Sequence, residues 1–295
     1  MSGHIVEREP ETREATDTEA ADTEAAGAVR PRPQSLMLAF LGRFVLGKGL
    51  RVFSGSFIDV FARLGVSEQA VRSTLSRMAQ RGMLDRRRSG RRVYFGLTPR
   101  AVDVLTDGDQ RIWDAGVVNL DEDGMWTLLS FSLPEAWQRQ RHDLRSRLSW
   151  AGFGPLRSGL WIAPTVVDTT AFVDELGLTD HVHVFHARLG APTQAAQVVN
   201  EAYDVDDLAE GYRRFLDRWD TDDPAPEAPD DLARLLLLTS EWMRLIRTDP
   251  RLPLAYLPDP WPAVPAQELV YDLHRRYEES ATRIVEEVVD TLPAD

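Results

Sequence analysis

Residues 65–98 read GVSEQAVRSTLSRMAQRGMLDRRRSGRRVYFGLT, and this stretch decides the predicted fold of the N-terminal part of the chain. Apolar residues recur at helical spacing over 68–80, and Ser67 has the right type and place to cap that helix. Further on, Ser89-Gly90 is a turn signal between two segments suited to antiparallel strands. The stretch therefore predicts a helix followed by a hairpin.

Two further helices are predicted upstream. Apolar residues at helical spacing indicate a helix over 56–64, which Gly65 ends, and Ser35 is a plausible N-cap for an earlier one. A helix, a tight glycine turn and a second helix form the helix-turn-helix arrangement. With the hairpin added, the sequence predicts a winged helix-turn-helix domain over residues 35–115.

The outer face of the helix over 68–80 is polar, which suits entry into a DNA major groove. Arginine can bond guanine bidentately and glutamine can bond adenine, while serine can reach bases or phosphates. A polar stripe alone equally suits a solvated helix face, but the glycine turn and the arginine-rich hairpin favour DNA. The candidate DNA-binding residues are Ser67, Gln69, Arg72, Ser73, Ser76 and Arg77 on the helix and Arg87, Arg88, Arg91 and Arg92 on the hairpin.

The charge is distributed unevenly. The whole chain carries a formal net charge of -13, which taken alone argues against nucleic-acid binding. Residues 31–111, however, hold 15 Lys/Arg against 6 Asp/Glu, a net charge of +9. Residues 1–30 carry -5 and residues 112–295 carry -17, so one basic module lies in an acidic protein.

Composition excludes several classes of protein. The chain has no cysteine, which removes disulfides, thiol catalysis and cysteine-based zinc sites. No apolar run approaches the length of a membrane span, and the N-terminus is acidic, so we expect a cytoplasmic protein. The Thr/Glu/Ala-rich start predicts a disordered acidic tail over 1–34. No phosphate-binding glycine loop, serine nucleophile elbow or His-Glu-x-x-His motif occurs, so we expect neither an enzyme nor a cofactor.

The rest of the chain predicts an α+β multidomain protein. Over 124–190 the predicted strands and helices alternate in the order β-α-β-β-α-β of a ferredoxin-like domain. The strands are expected at 126–133, 153–156, 159–162 and 181–189, and the helices at 135–150 and 168–176. Residues 195–295 predict an all-α C-terminal domain, with helices at 208–219, 232–246 and 266–289.

Motifs in all three regions resemble the phenylacetic-acid-degradation repressor (PaaX-like) family of transcriptional regulators. They are GSFI (55–58), GVSEQAVR (65–72), LSRM (75–78), RGML (81–84), GRRVYFGLT (90–98), FSLPE (131–135), GFGPL (152–156), GLWI (159–162), DPRLP (249–253), LP (257–258) and WP (261–262). The resemblance implies a repressor that an aryl-acyl-CoA, classically phenylacetyl-CoA, releases from double-stranded operator DNA. We expect it to bind a two-fold operator as a homodimer.

The effector site has only weak candidates in the sequence. Arg139, Arg145 and Arg157 could serve the phosphates of a thioester, and Tyr256 and Trp261 could line an aromatic pocket. Charged surface faces and ordinary packing explain the same residues more simply.

Two alternatives to a DNA-binding repressor remain. One is a metal-dependent RNA or DNA nuclease, because the ferredoxin-like domain also resembles CRISPR-associated endoribonuclease-like proteins. Some of those proteins carry an aspartate for metal-dependent cleavage at the end of the first strand. The corresponding stretch here, Ser130-Phe131-Ser132, has no aspartate. On one strand, His181 and His183 would share a face while His186 points the other way, so no metal site is expected. The other alternative is an adaptor whose winged helix contacts a protein.

Overall fold

The computed structural model describes residues 32–115, 117–120 and 123–294, as a mixed α/β protein with two four-stranded antiparallel sheets. Most of the predicted acidic tail over 1–34 lies outside the described residues. The prediction that Ser35 caps the first helix is wrong, because this helix begins at Pro33. Proline suits the first helical position, since the N–H that it lacks would have no partner there.

The N-terminal part of the chain combines helices with short strands. They are α1 (Pro33–Phe44), β1 (Leu50–Phe53), α2 (Ser54–Ala62), α3 (Glu68–Gln80), β2 (Leu84–Ser89), β3 (Arg92–Leu97) and α4 (Pro99–Asp109). The predicted helix over 68–80 and the hairpin after it are confirmed. The helix predicted over 56–64 begins and ends two residues earlier.

The first sheet contains a strand from the far end of the chain. Its order is β2-β3-β1-β8, where β8 is Thr291–Pro293. Val52 of β1 lies opposite Thr291, and the two strands are antiparallel. The prediction that residues 195–295 are all helical is therefore wrong at their end, because a strand of three residues is too short to show an alternating pattern.

The central elements follow the predicted order, with boundaries that shift by a few residues. They are β4 (Met125–Phe131), α5 (Gln138–Trp150), β5 (Gly154–Arg157), β6 (Leu160–Ala163), α6 (Thr170–Glu175) and β7 (Val182–Arg188). The strands form a sheet in the order β5-β6-β4-β7, and all neighbours are antiparallel. The edge strand β7 therefore pairs with β4, the first strand of this segment.

Four helices follow the central sheet. They are α7 (Ala195–Ala202), α8 (Val205–Trp219), α9 (Asp231–Thr248) and α10 (Ala263–Val288). Asp230 caps α9, since its carboxylate accepts a hydrogen bond of 3.0 Å from the Ala233 N–H. Helix α9 packs against α10 and also against α1, so the C-terminal helices lie directly on the N-terminal ones.

One large apolar core joins the two ends of the chain. It contains Phe40 of α1 and Phe57 of α2 together with Trp219 and Trp242 of α8 and α9, all fully buried. A smaller cluster, which includes Leu129 of β4, lies between the central sheet and α5. The helix α3 is thus supported by packing that extends into the C-terminal helices.

Candidate nucleic-acid interface

Helix α3 has one buried face and one exposed face. Val71, Leu75 and Met78 are at most 3% exposed, which confirms the predicted apolar face. Thr74, which the sequence did not single out, is also buried on this side. Helix α3 packs against α1 and α2, so the direction of its outer face is fixed by the core.

The N-terminus of α3 is capped as predicted. The Ser67 hydroxyl accepts a hydrogen bond of 3.3 Å from the Ala70 N–H, and Glu68 lies in the first turn. Both features favour the start of a helix, because they satisfy a free N–H and place negative charge at the positive end of the dipole.

A substitution at Ser67 tests how much the cap stabilises the protein. We expect Ser67→Ala to lower the free energy of unfolding by about 0.5 to 2 kcal/mol, since one N–H at the helix start loses its acceptor. The measurement is a urea titration followed by circular dichroism. Ser73→Ala, an exposed position inside the same helix, is the control and should change stability by less than about 0.5 kcal/mol. Equal effects of the two changes would contradict the capping role.

All six candidate residues on and before α3 lie in solvent. They are Ser67, Gln69, Arg72, Ser73, Ser76 and Arg77. Ser67 is the N-cap, and the other five extend from α3 on the side opposite the buried residues, so the structure brings these five together on one surface.

The guanidinium of Arg72 is held on this surface by its neighbour. Its Nε donates a hydrogen bond of 2.7 Å to Glu68 Oε1, one turn earlier, and both side chains are more than half exposed. A guanidinium has five N–H donors, so this bond uses only one of them. An exposed ion pair of this kind is weak and can exchange for another anion or acceptor.

The hairpin β2–β3 presents the second cluster of arginines. Ser89 pairs with Arg92 across the turn, and Gly90 has a φ of 59°, the left-handed conformation that favours glycine. Arg87, Arg88 and Arg91 are exposed near the tip. In the described part of the chain, no hydrogen bond or ion pair holds Arg88 or Arg91. These side chains lie in solvent, where a phosphate could reach them.

Arg92 differs from the other hairpin arginines, because it makes a structural contact. Its Nη1 donates to the carboxylate of Asp290, and its guanidinium lies 5.1 Å from the centre of the Phe53 ring. The Tyr94 hydroxyl also donates to Asp290, at 3.1 Å. Hydrogen bonds to Tyr94, the larger contribution, and to Asp290 raise the pKa of Arg92 above its usual value.

Asp290 fixes the C-terminal segment to the first sheet. Its carbonyl accepts a hydrogen bond of 2.9 Å from the Phe53 N–H, and its own N–H donates to Ser56 Oγ at the same distance. Sequence reasoning missed this residue, because nothing near Asp290 in the sequence indicates a partner 198 positions away. The segment between α10 and β8 therefore ties the hairpin to the C-terminal helices.

The three arginines predicted for effector phosphates do not share one role. The side chain of Arg139 is 92% exposed, with Asp143 at 3.9 Å, and Arg145 is exposed on the same helix. Arg157 pairs with Glu201 at 3.2 Å. None of the three lines either of the two clefts described below.

The two aromatic residues predicted for the effector pocket take part in packing. Tyr256 stacks on Trp126, with 5.6 Å between the ring centres, and Trp261 is 6% exposed. Trp261 also lies edge-on to Tyr212, whose hydroxyl donates to the carboxylate of Asp249. Their assignment to a pocket stays a prediction, which these contacts do not support.

His183 and His186 lie on the predicted strand, β7, but His181 does not. His181 lies in a 3-10 turn before β7 and contacts Trp137 edge-on, so it does not share a strand with His183. His183 and His186 are exposed. Over the described ranges, no three His, Cys, Asp or Glu side chains are grouped as metal ligands. None of the helices described is both long and apolar enough to span a bilayer.

Three family models match consecutive parts of the chain. The model described as PaaX-like protein matches residues 32–101, the PaaX protein central Cas2-like domain matches 119–199, and the PaaX-like protein C-terminal domain matches 203–287. The chain therefore belongs to the PaaX-like family.

Two individual proteins are similar over most of the chain. The transcriptional repressor PaaX of Escherichia coli is 28% identical over 277 residues, which cover 88% of this chain and 86% of that protein. The uncharacterized protein Rv0674 from Mycobacterium tuberculosis has a solved structure that matches with a TM-score of 0.59 and 22% identity. The match covers 86% of this chain and 98% of that one, and it supports the fold alone.

Proposed function

We propose that this protein is a DNA-binding transcriptional repressor. The observation that carries the proposal is the exposed polar face of α3 beside the basic hairpin, in a protein that is otherwise acidic. Its similarity to the transcriptional repressor PaaX supports the same conclusion. No catalytic step is part of the proposal.

The fold suggests how such a repressor would bind. Residues 35–115 act as a winged helix-turn-helix, in which α3 enters the major groove and the hairpin contacts flanking phosphates. A homodimer would place two α3 helices in successive major grooves of a two-fold operator. Residues 124–190 form the ferredoxin-like part of the chain, a proposal that the β-α-β-β-α-β order and the antiparallel sheet support.

An effector would control operator binding. We take it to be an aryl-acyl-CoA such as phenylacetyl-CoA, as the family resemblance implies. Such a ligand must bind the DNA-free form more tightly than the DNA-bound form, and by linkage it weakens operator affinity by the same free energy.

A gel shift with the DNA upstream of the protein's own gene tests the proposed function. The purified protein should retard this DNA in the presence of excess unrelated DNA, and phenylacetyl-CoA should reverse the shift. Cleavage of the DNA in the presence of Mg²⁺ or Mn²⁺ would instead indicate a nuclease. If the protein retards neither the upstream DNA nor the unrelated DNA, the proposal is contradicted.

Arg91→Ala tests the role of the hairpin separately. We expect weaker binding to every DNA sequence and a slope of log K against log salt that is shallower by about 1 for each protein copy bound, because one phosphate contact is lost. Fluorescence anisotropy at several salt concentrations measures this slope. Arg213→Ala, an exposed arginine of α8 that pairs with Glu210, is the control and should leave the slope unchanged. An unchanged slope in Arg91→Ala would exclude a phosphate contact at this position.

A further inference from the structure

A cleft of about 450 Å³ opens where the C-terminal ends of α5 and α9 meet. It is lined by Ser146, Arg147, Ser149, Trp150, Arg247 and Thr248, and we call it the α5–α9 cleft. This volume lies in the usual range for sites that hold a small molecule.

The two ends are held close together at a glycine. Gly152, just after α5, has a φ of 84°, and a Cβ added there would lie 3.2 Å from the carbonyl oxygen of Pro250, just after α9. A larger residue would therefore be strained by its own backbone and crowded by the opposite chain. The cleft thus lies between the helix that covers the central sheet and a helix of the C-terminal group.

Trp150 gives the cleft an exposed aromatic surface. Trp150 is 43% exposed, although most of the large aromatic residues described are buried. The guanidinium of Arg247 lies 5.8 Å from the centre of the Trp150 ring, within the range of a cation–π contact. An accessible indole beside a guanidinium can stack a planar ring of a ligand.

The charge of the cleft favours an anion. Its lining holds two arginines and three hydroxyl groups but no carboxylate, although residues 112–295 carry a net charge of -17. Arg147 forms hydrogen bonds of 3.0 and 3.1 Å to Glu175, in an ion pair that is about half exposed and can therefore exchange. A second cleft, lined by Glu201, Asp204 and Asp206, would repel an anion.

The position of the cleft suggests how the binding of a ligand there would affect the proposed DNA-binding surface. Helix α9 packs against α1, and α1 packs against α3. A ligand that bridges α5 and α9 would favour one spacing of these helices, and a change in that spacing could reach α3 through α1.

We propose that the α5–α9 cleft binds the effector as a small molecule that carries both a planar ring and an anionic group. The ring stacks on Trp150, and a phosphate or carboxylate is held by Arg147 and Arg247. The proposal rests on the proposed function, in which a small effector releases the operator. The ring and anion could come from the adenine nucleotide part of a coenzyme A thioester or from an aryl carboxylate.

Isothermal titration calorimetry of the full chain without DNA tests the site. The probes are phenylacetyl-CoA, coenzyme A and phenylacetate, so binding of coenzyme A alone points to the nucleotide and binding of phenylacetate alone points to the carboxylate. We expect at least one probe to bind the parent protein, and Trp150→Ala and Arg247→Ala to weaken it by about tenfold or more.

Matched variants separate the site from general damage. Phe185→Ala, an aromatic residue that is 57% exposed on β7, and Arg213→Ala on α8 lie outside the cleft lining and should keep the parent's affinity. If Trp150→Ala does not fold, Arg247→Glu reverses a charge on the surface and should abolish binding. Parent-like affinity in a folded cleft variant, or no binding of any probe to the parent protein, would overturn the proposal.

The failure of this site can be told from the failure of the proposed function. Anisotropy of the ligand-free parent on the upstream DNA tests operator binding alone, whereas calorimetry tests the cleft alone. If the protein binds the operator and the cleft binds a probe, addition of that probe should weaken operator affinity in the parent protein but not in Arg247→Glu. A full response in Arg247→Glu would place the effector elsewhere and overturn the proposal.

Discussion

Arg72→Ala should weaken binding to the operator by about 10- to 100-fold, and it should relax the preference for one base pair. The guanidinium lies on the exposed face of α3, where only one N–H is used by Glu68. In the major groove it can exchange that bond for two parallel bonds to guanine. The loss is therefore expected mainly in specific binding, with a smaller loss on unrelated DNA.

A set of operator variants, each changed at one base pair, measures this effect by anisotropy. The parent protein should discriminate strongly at one position where Arg72→Ala does not. Arg72→Lys keeps the charge but loses the planar fork, so it should restore non-specific affinity without the base preference. If Arg72→Ala discriminates among the variants as the parent does, Arg72 does not read a base.

Phe40→Ala should lower the free energy of unfolding by about 3 to 5 kcal/mol, the usual cost of removing a buried aromatic ring. Phe40 is fully buried, and its ring centre lies 5.5 Å from that of Phe44, 5.6 Å from that of Phe57 and 6.1 Å from that of Phe61. Little room exists for these rings to collapse into the space, because they already pack against each other.

Urea unfolding at equilibrium measures the stability change. Phe185→Ala removes a ring that is 57% exposed and should change stability by much less, about 0.5 kcal/mol or less. Because α1 packs against both α3 and α9, Phe40→Ala should also weaken operator binding at temperatures near its lowered midpoint. A loss below about 1 kcal/mol would contradict the role of Phe40 in the core.

Local sequence signals predicted the helix α3 and the hairpin of the proposed DNA-binding surface well. The Ser67 cap, the apolar spacing in α3 and the Ser89-Gly90 turn all depend on neighbours within a few residues, so each could be read directly from the chain. The exposure of the α3 residues followed from the same spacing, because a helix that buries one face exposes the other.

Contacts between distant residues could not be predicted in this way. The strand β8 and the Asp290–Arg92 pair join the two ends of the chain, and no local pattern indicates either contact. Charge alone groups Arg92 with the arginines at the hairpin tip, whereas its carboxylate partner, Asp290, gives it a structural contact. Salt-slope measurements should therefore show a smaller effect for Arg92→Ala than for Arg91→Ala if that contact holds in solution.

The effector candidates illustrate a second limit. Residue type alone indicates Trp261 as an effector contact, but Trp261 is buried in the core. The exposed tryptophan, which lines the α5–α9 cleft, is Trp150. Sequence periodicity does not distinguish them, because α5 is rich in arginine and its apolar face is narrow. The exposure of a single aromatic ring depends on what the neighbouring helix covers, which is a property of the folded chain.

A salt titration of the unmodified protein tests the central claim most directly. It compares affinity for the DNA upstream of its own gene with affinity for a scrambled sequence of equal length. If a homodimer neutralises about six phosphates, log K should fall linearly with log salt with a slope of about -5, and the upstream DNA should be favoured by about 10³-fold or more. Equal affinity for both sequences, or an affinity that does not change with salt, would contradict a repressor that reads DNA through α3 and the hairpin.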